Sequence, residues 1–326
     1  MVLLYHAPGM LPGHDFYYLT AVNLFFSISG FLIAQMLVER FDGASSRRAV
    51  ELFLINRWMR TFPLYFLTLA VFVLLSAITG AQGPTPVYAV FLQSLTRGNE
   101  VFGPSWTLCI EEWFYLLCPL VVFIAGRHRR SVRLWVIIGA ALIAFVLIAR
   151  IDLYLRLDRL TWEDQDAVFN RATLLRLDVF VWGMGAYFVR PHVRRPSFIA
   201  IIGAAILLVD YMIYQQSSDG WFVKVILPSL TPAATALLIP WALSLRAPPF
   251  MAAITAFLST RTYAIYLLFY PVMFVWFVRF PETVWGIAGA AAMTVFLANL
   301  AYLAIERPIM RLRPMRAPAT IPALAE

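Results

Sequence analysis

Charge is scarce in this sequence, and lysine is almost missing from it. Only 13% of the 326 residues are Asp, Glu, Lys or Arg, against 61% hydrophobic. A soluble globular chain carries about twice that share of charge, so a water-soluble fold is excluded. Lys224 is the one lysine among 26 basic residues, a bias that reads as genome composition rather than chemistry. The net charge of +8 does not signal nucleic acid, because the arginines fall in short loops between apolar stretches and set orientation there. Cysteine is scarce too. Cys109 and Cys118 share one apolar stretch and lie about 13 Å apart along a helix, which excludes a disulfide between them. No spacing of His, Cys, Asp and Glu suits a metal ion. Repeats, heptads and low-complexity tracts are absent.

What is present is a succession of apolar runs near 20 residues, the length of a membrane-spanning helix. They predict spans at 18–38, 58–79, 105–125, 134–152, 171–189, 197–214, 224–245, 261–279 and 285–305. Before them "MVLLYH" is apolar but covers only about 9 Å as a helix, and reads as the end of a first span whose beginning is missing. The expected fold is all-α, a polytopic transmembrane bundle of about ten spans with the first truncated. Alternating the spans puts 18 of the 26 basic residues in the segments 39–60, 126–133, 190–196, 246–261 and 306–326. The positive-inside rule makes these cytoplasmic, with both termini inside. Residues 1–313 are expected to form the membrane domain and 314–326 a short disordered cytoplasmic tail.

Ionisable groups inside such spans are costly and mark function. Glu111 and Glu112 stand in "GPSWTLCIEEWFYLLCPLVVFIAG" (103–126), about 9 Å beyond a helix start with Ser105 as its cap. They point 100° apart, and Tyr115 can reach either. His6, at the outer end of the truncated span, has a near-neutral pKa suited to general-base work. His14, His128 and His192 read as solvated. "NLFFSISGFLI" places small residues, among them Ser29, on a helix surface for close packing. In "NRWMRTFPLY", Arg57 and Arg60 share one face at the inner mouth of a span, a pair suited to phosphate. Arg176 and Asp178 lie near the outer end of another span. "LAIERPIMR" reads as a helix stop with a Glu306–Arg307 ion pair at the inner face.

In their order these stretches resemble the acyltransferase 3 family of integral membrane acyltransferases. The shared pattern is a histidine in the first span, FF-x-x-SGFL, R-x-x-R followed by proline, W-S-L-x-x-E-x-x-F-Y and a final E-R-P. The likeness runs from about residue 3 to 313. It implies transfer of an acyl group, usually acetyl, from cytoplasmic acyl-CoA to a hydroxyl of a carbohydrate or related acceptor, at a bacterial inner membrane. Acyl-CoA, the acceptor and membrane lipid are then the partners; no bound cofactor, metal or nucleic acid is implied. The resemblance makes His6 and Glu111 catalytic and puts Arg57 and Arg60 on the donor. Ser29, Gly30 and Phe31 match SGF. Trp106, Glu112, Tyr115, Arg176 and Asp178 are further candidates for substrate contact. Three departures stand out: no basic residue eleven positions before His6, Thr107 for the motif serine, and Phe269 where relatives often carry histidine. The competing expectation is a transporter in which Glu111, Arg176 and Asp178 relay protons or bind a solute. Against it, no two halves carry matching interrupted helices.

Overall fold

The computed structural model describes residues 14–40, 47–95, 101–103, 105–125, 132–156, 167–216, 220–281 and 283–314. Its principal helices are α1 His14–Arg40, α2 Arg47–Thr79, α3 Ser105–Ala125, α4 Val132–Arg156, α5 Val179–Val189, α6 Pro196–Gln216, α7 Leu227–Ala242, α8 Pro249–Phe277 and α9 Val284–Ala301. No strand occurs among the described residues. Seven helical stretches among them are long and apolar enough to cross a membrane. The expected short first span lies outside the described residues, and the expected total of ten is therefore not counted here.

Several boundaries differ from the hydropathy reading. α2 begins at Arg47 rather than 58, because its charged first turns continue the helix and Arg47 pairs with Glu51 at 2.9 Å. α8 begins at Pro249, 12 residues before the expected 261. The run 171–189 is α-helical only from Val179, after a single 3-10 turn at Thr173–Leu175, and those 11 residues cover about 16 Å. The stretch before it is largely buried and not α-helical, its backbone held by Thr173 N–H donating to Ser94 O (2.6 Å) and Leu174 N–H to Leu95 O (3.3 Å). Backbone outside an α-helix survives at membrane depth when protein covers it in this way. The last helix does not stop at Glu306. A π turn, Tyr302–Glu306, carries it on through Arg311, accommodating the N–H that Pro308 lacks.

α1 packs against α5 and α7, α6 against α7, and α8 against α9 and α2; α3 touches both α1 and α2. Two buried cores result. One joins Phe26 and Ile33 of α1 to Trp106, Ile110, Phe114 and Tyr115 of α3 and Phe180 of α5. The other joins Leu64 and Tyr65 of α2 to Leu108 and Cys109 of α3 and Leu267 of α8. α3 is thus the seam, presenting one face to each. Its first half is pinned by Phe91, a left-handed residue (φ 54°) whose carbonyl accepts from Cys109 Sγ (2.8 Å) and Trp113 Nε1 (2.9 Å). α4 and α6 are peripheral and turn Val136, Ile137, Ile148 and Ile201 outward. Lipid tails accept such a surface without penalty, so the chain is a multi-pass membrane protein.

Candidate active site

Close packing of α1 on α5 sets the site. A Cβ on Gly30 would lie 2.2 Å from Phe180 O, and one on Gly183 would lie 1.9 Å from Ser27 O. Only glycine permits this crossing, and the small-residue seam expected at Ser27–Gly30 is there. Ser27 and Ser29 project on opposite sides of α1. Ser27 Oγ donates to Pro232 O at 3.0 Å and meets Thr235 Oγ1 at 2.9 Å on α7. Ser29 Oγ faces α3 and donates to Glu111 Oε1 at 3.0 Å.

Glu111 is 1% exposed. Its Oε1 also accepts from Tyr115 Oη (3.2 Å), and its Oε2 lies 3.5 Å from Arg57 Nη2. That guanidinium stacks on Tyr115, with Cζ 3.8 Å from the ring centroid, and donates to its hydroxyl. Glu112 turns the other way, as its position predicts. Its Oε1 accepts from Thr61 Oγ1 (3.1 Å) and its Oε2 from Trp58 Nε1 (3.2 Å). Tyr263 of α8 donates to Thr61 O at 2.7 Å and steadies that turn of α2. Every oxygen of the two carboxylates therefore has a donor, Glu111 from α1, α2 and α3 and Glu112 from α2, the condition for holding them inside a membrane protein.

The structure thus joins Glu111, Tyr115, Ser29 and Arg57 in one cluster, with Glu112 beside it. It corrects the vertical arrangement. Arg57 was expected at an inner mouth opposite Glu111; it lies ten residues inside α2 and touches Glu111 directly. Ser105 is the first residue of α3 rather than its cap, and its hydroxyl has no hydrogen-bond partner among the described residues. Trp106 is buried, donates Nε1–H to Tyr18 Oη (3.3 Å) and packs edge-on to Phe26. Thr107 meets Tyr266 Oη at 2.7 Å, a bond the motif serine could also make. Phe269 is buried near Tyr266 and Tyr270. His6, His128 and the side chain of His14 lie outside the described residues, and His192 is exposed.

Arg176 and Asp178 belong to a second polar group, packed against α4 and α7. Asp178 pairs with Arg150 at 3.0 Å, both fully buried, and accepts from Ser229. Arg150 also donates to Leu175 O and, at 2.6 Å, to Ser229 Oγ. Arg176 donates to Pro228 O (2.9 Å) and to Asn23. A crevice of about 20 Å³, lined by Thr20, Asn23, Arg176 and Thr231, adjoins it, room for a water molecule. Sequence reasoning missed Arg150 and the buried Asp210, which accepts from Thr231 at 3.2 Å; each is an ionisable residue inside an apolar run, the signal applied to Glu111. It also missed Thr61 and Trp58, which lie inside the expected span 58–79 but gain their role only by donating to Glu112 of another helix. At the end of α9, Glu306 does not pair with Arg307. It is 2% exposed, and the cations acting on it are Arg60, Arg261 and Arg313. Cys109 and Cys118 are free and buried. No group of three metal-ligating side chains occurs among the described residues.

A family profile described as an acyltransferase domain matches residues 1–303. The chain belongs to the acyltransferase 3 family. It is 23% identical over 326 aligned residues to peptidoglycan O-acetyltransferase OatA of Listeria monocytogenes, covering 89% of this chain and 51% of that protein. It is 27% identical over 162 residues to nodulation protein 10 of Rhizobium leguminosarum bv. viciae, covering 42% of this chain and 39% of that one. The chain thus spans about half or less of the length of these curated relatives. No solved structure matches it. Of the residues expected from the resemblance, Ser29, Arg57 and Tyr115 meet around Glu111.

Proposed function

We propose that this chain transfers an acyl group, acetyl in the simplest case, from acyl-CoA to a hydroxyl of a cell-envelope glycan at a bacterial inner membrane, with both termini cytoplasmic. The observation that carries this reading is the Glu111–Arg57–Tyr115–Ser29 cluster, buried within a membrane bundle of an acyltransferase family. Peptidoglycan is the acceptor class suggested by the Listeria relative. His6 is the general base in this reading: its neutral imidazole takes the acceptor hydroxyl proton as the oxygen attacks the thioester carbon. Glu111, fixed by Ser29 and Tyr115, orients and stabilises the imidazolium, as a triad carboxylate does. Glu112, Trp106 and the Arg176–Asp178 group shape the cavity for the acceptor, and Arg60 holds donor phosphate.

The test is CoA release. The chain in lipid discs is given acetyl-CoA with solubilised peptidoglycan fragments, and free thiol is followed with His6→Ala and Glu111→Gln as controls. Acceptor-dependent release lost in both variants supports the reading. Solute movement across vesicles without donor consumption would replace it with a carrier.

A further inference from the structure

Two arginines one turn apart on α2 invite a single role, a fork for phosphate. The structure separates them. Arg57 is drawn onto Glu111 and Tyr115, with Glu112 on the next residue of α3. A phosphate placed there would meet two buried carboxylates, and like charges at short range in a poorly solvated site repel strongly. Arg60 faces the opposite balance. With Arg261 and Arg313 it lies within electrostatic range of Glu306, and more weakly of Glu111, so guanidiniums outnumber carboxylates there. Arg261 is braced there by stacking on Tyr302 and Phe257 and by a 2.8 Å bond from its Nε to Asn299. Phosphate belongs at the second place. Arg57 has a further property: its Nε–H is buried and has no hydrogen-bond partner among the described residues. A buried charged donor with no partner among the described residues can take its acceptor from a bound ligand. A thioester carbonyl supplies one without bringing charge to the carboxylates.

We infer that Arg57 is a carbonyl-binding catalytic residue, its Nε–H donating to the acyl carbonyl oxygen of the donor, while Arg60 alone of the pair serves the donor's phosphates. The inference rests on the acyl-CoA reading above. In the step, the acceptor oxygen bonds to the thioester carbon and the carbonyl π pair moves onto oxygen, where Arg57 donates. Collapse restores the C=O bond and breaks C–S. Sulfur leaves with the bonding pair and receives the proton taken from the hydroxyl, giving ester and free thiol. A donor aimed at the oxygen as charge develops typically contributes about 100-fold or more in kcat.

The experiment compares acetyl-CoA with S-acetylpantetheine, which keeps the thioester and lacks the phosphates, in the intact chain in lipid discs. Arg57→Gln and Arg57→Lys should lower kcat about 100-fold on both donors alike, and equilibrium binding of CoA itself should stay within about threefold of wild type. Arg60→Gln should weaken CoA binding and raise KM for acetyl-CoA, so that the preference for acetyl-CoA over S-acetylpantetheine collapses. Loss of CoA binding in folded Arg57→Lys, or a defect confined to acetyl-CoA, overturns the inference and returns Arg57 to the phosphates. Absence of CoA release by the wild-type chain would instead defeat the parent reading.

Discussion

Ser27 and Ser29 are two residues apart on one helix and do different work. Ser27 ties α1 to α7, and Ser29 donates to Glu111. Ser29→Ala should therefore cut kcat about tenfold or more, the value of a hydrogen bond to a charged group, with thermal unfolding nearly unchanged. Ser27→Ala should do the reverse, lowering the unfolding temperature while kcat of the folded fraction holds. Stopped CoA release and scanning fluorimetry on the same preparations separate the two. Arg150 gives a sharper case. Arg150→Ala leaves Asp178 charged and buried and should cost about 3–5 kcal/mol, read as loss of folded protein. Arg150→Met with Asp178→Leu removes both charges and should recover much of that loss. The ion pair was not visible in advance because its partners come from different elements. The intramembrane arginine itself was legible, and lay inside the predicted span 134–152 all the same.

At the scale of elements, the glycine crossing of α1 and α5 is the device that brings Ser29 to Glu111. Gly183→Ala drives a methyl into Ser27 O, 1.9 Å from the ideal Cβ, whereas a Cβ on Gly185 meets nothing within 4 Å. Gly183→Ala should lose both assembly and CoA release, and Gly185→Ala should match wild type; detergent-resistant folded yield by size exclusion checks this. α3 was legible because its apolar run is long and unbroken, and the described helix Ser105–Ala125 lies within the expected run. α2 was not. Its first turns carry Arg47, Arg48 and Glu51, and a hydropathy window ends at charge while the helix continues through i,i+4 pairing. That shortened reading is what placed Arg57 at a mouth rather than beside Glu111. The stretch before α5 was hidden for the opposite reason: its apolar residues look α-helical, and only the carbonyls of Ser94 and Leu95 reveal where its backbone bonds go.

For the whole molecule, the separation into two cores with α3 between them means that the candidate site exists only once both are built. The lipid-facing surface carries its own prediction. Ile148 is 66% exposed on α4, so Ile148→Arg should cost about 2.5–3.5 kcal/mol in insertion and reduce the membrane-integrated fraction; Ile148→Leu should not. Arg150 lies just beyond it on the same helix, buried where Ile148 is exposed. During synthesis α4 reaches the membrane before Leu175, Asp178 and Ser229 can pack against it. Arg150 must therefore wait in the bilayer as a lone cation. α4 has the highest mean hydropathy of the described candidate spans, and this surplus of apolar side chains holds the helix in the membrane through that interval. The greasiest span is in effect a holding frame for the arginine, released from that duty when the following segment arrives. Asp178→Leu should accordingly leave the insertion of α4 intact and arrest the chain afterwards, at assembly.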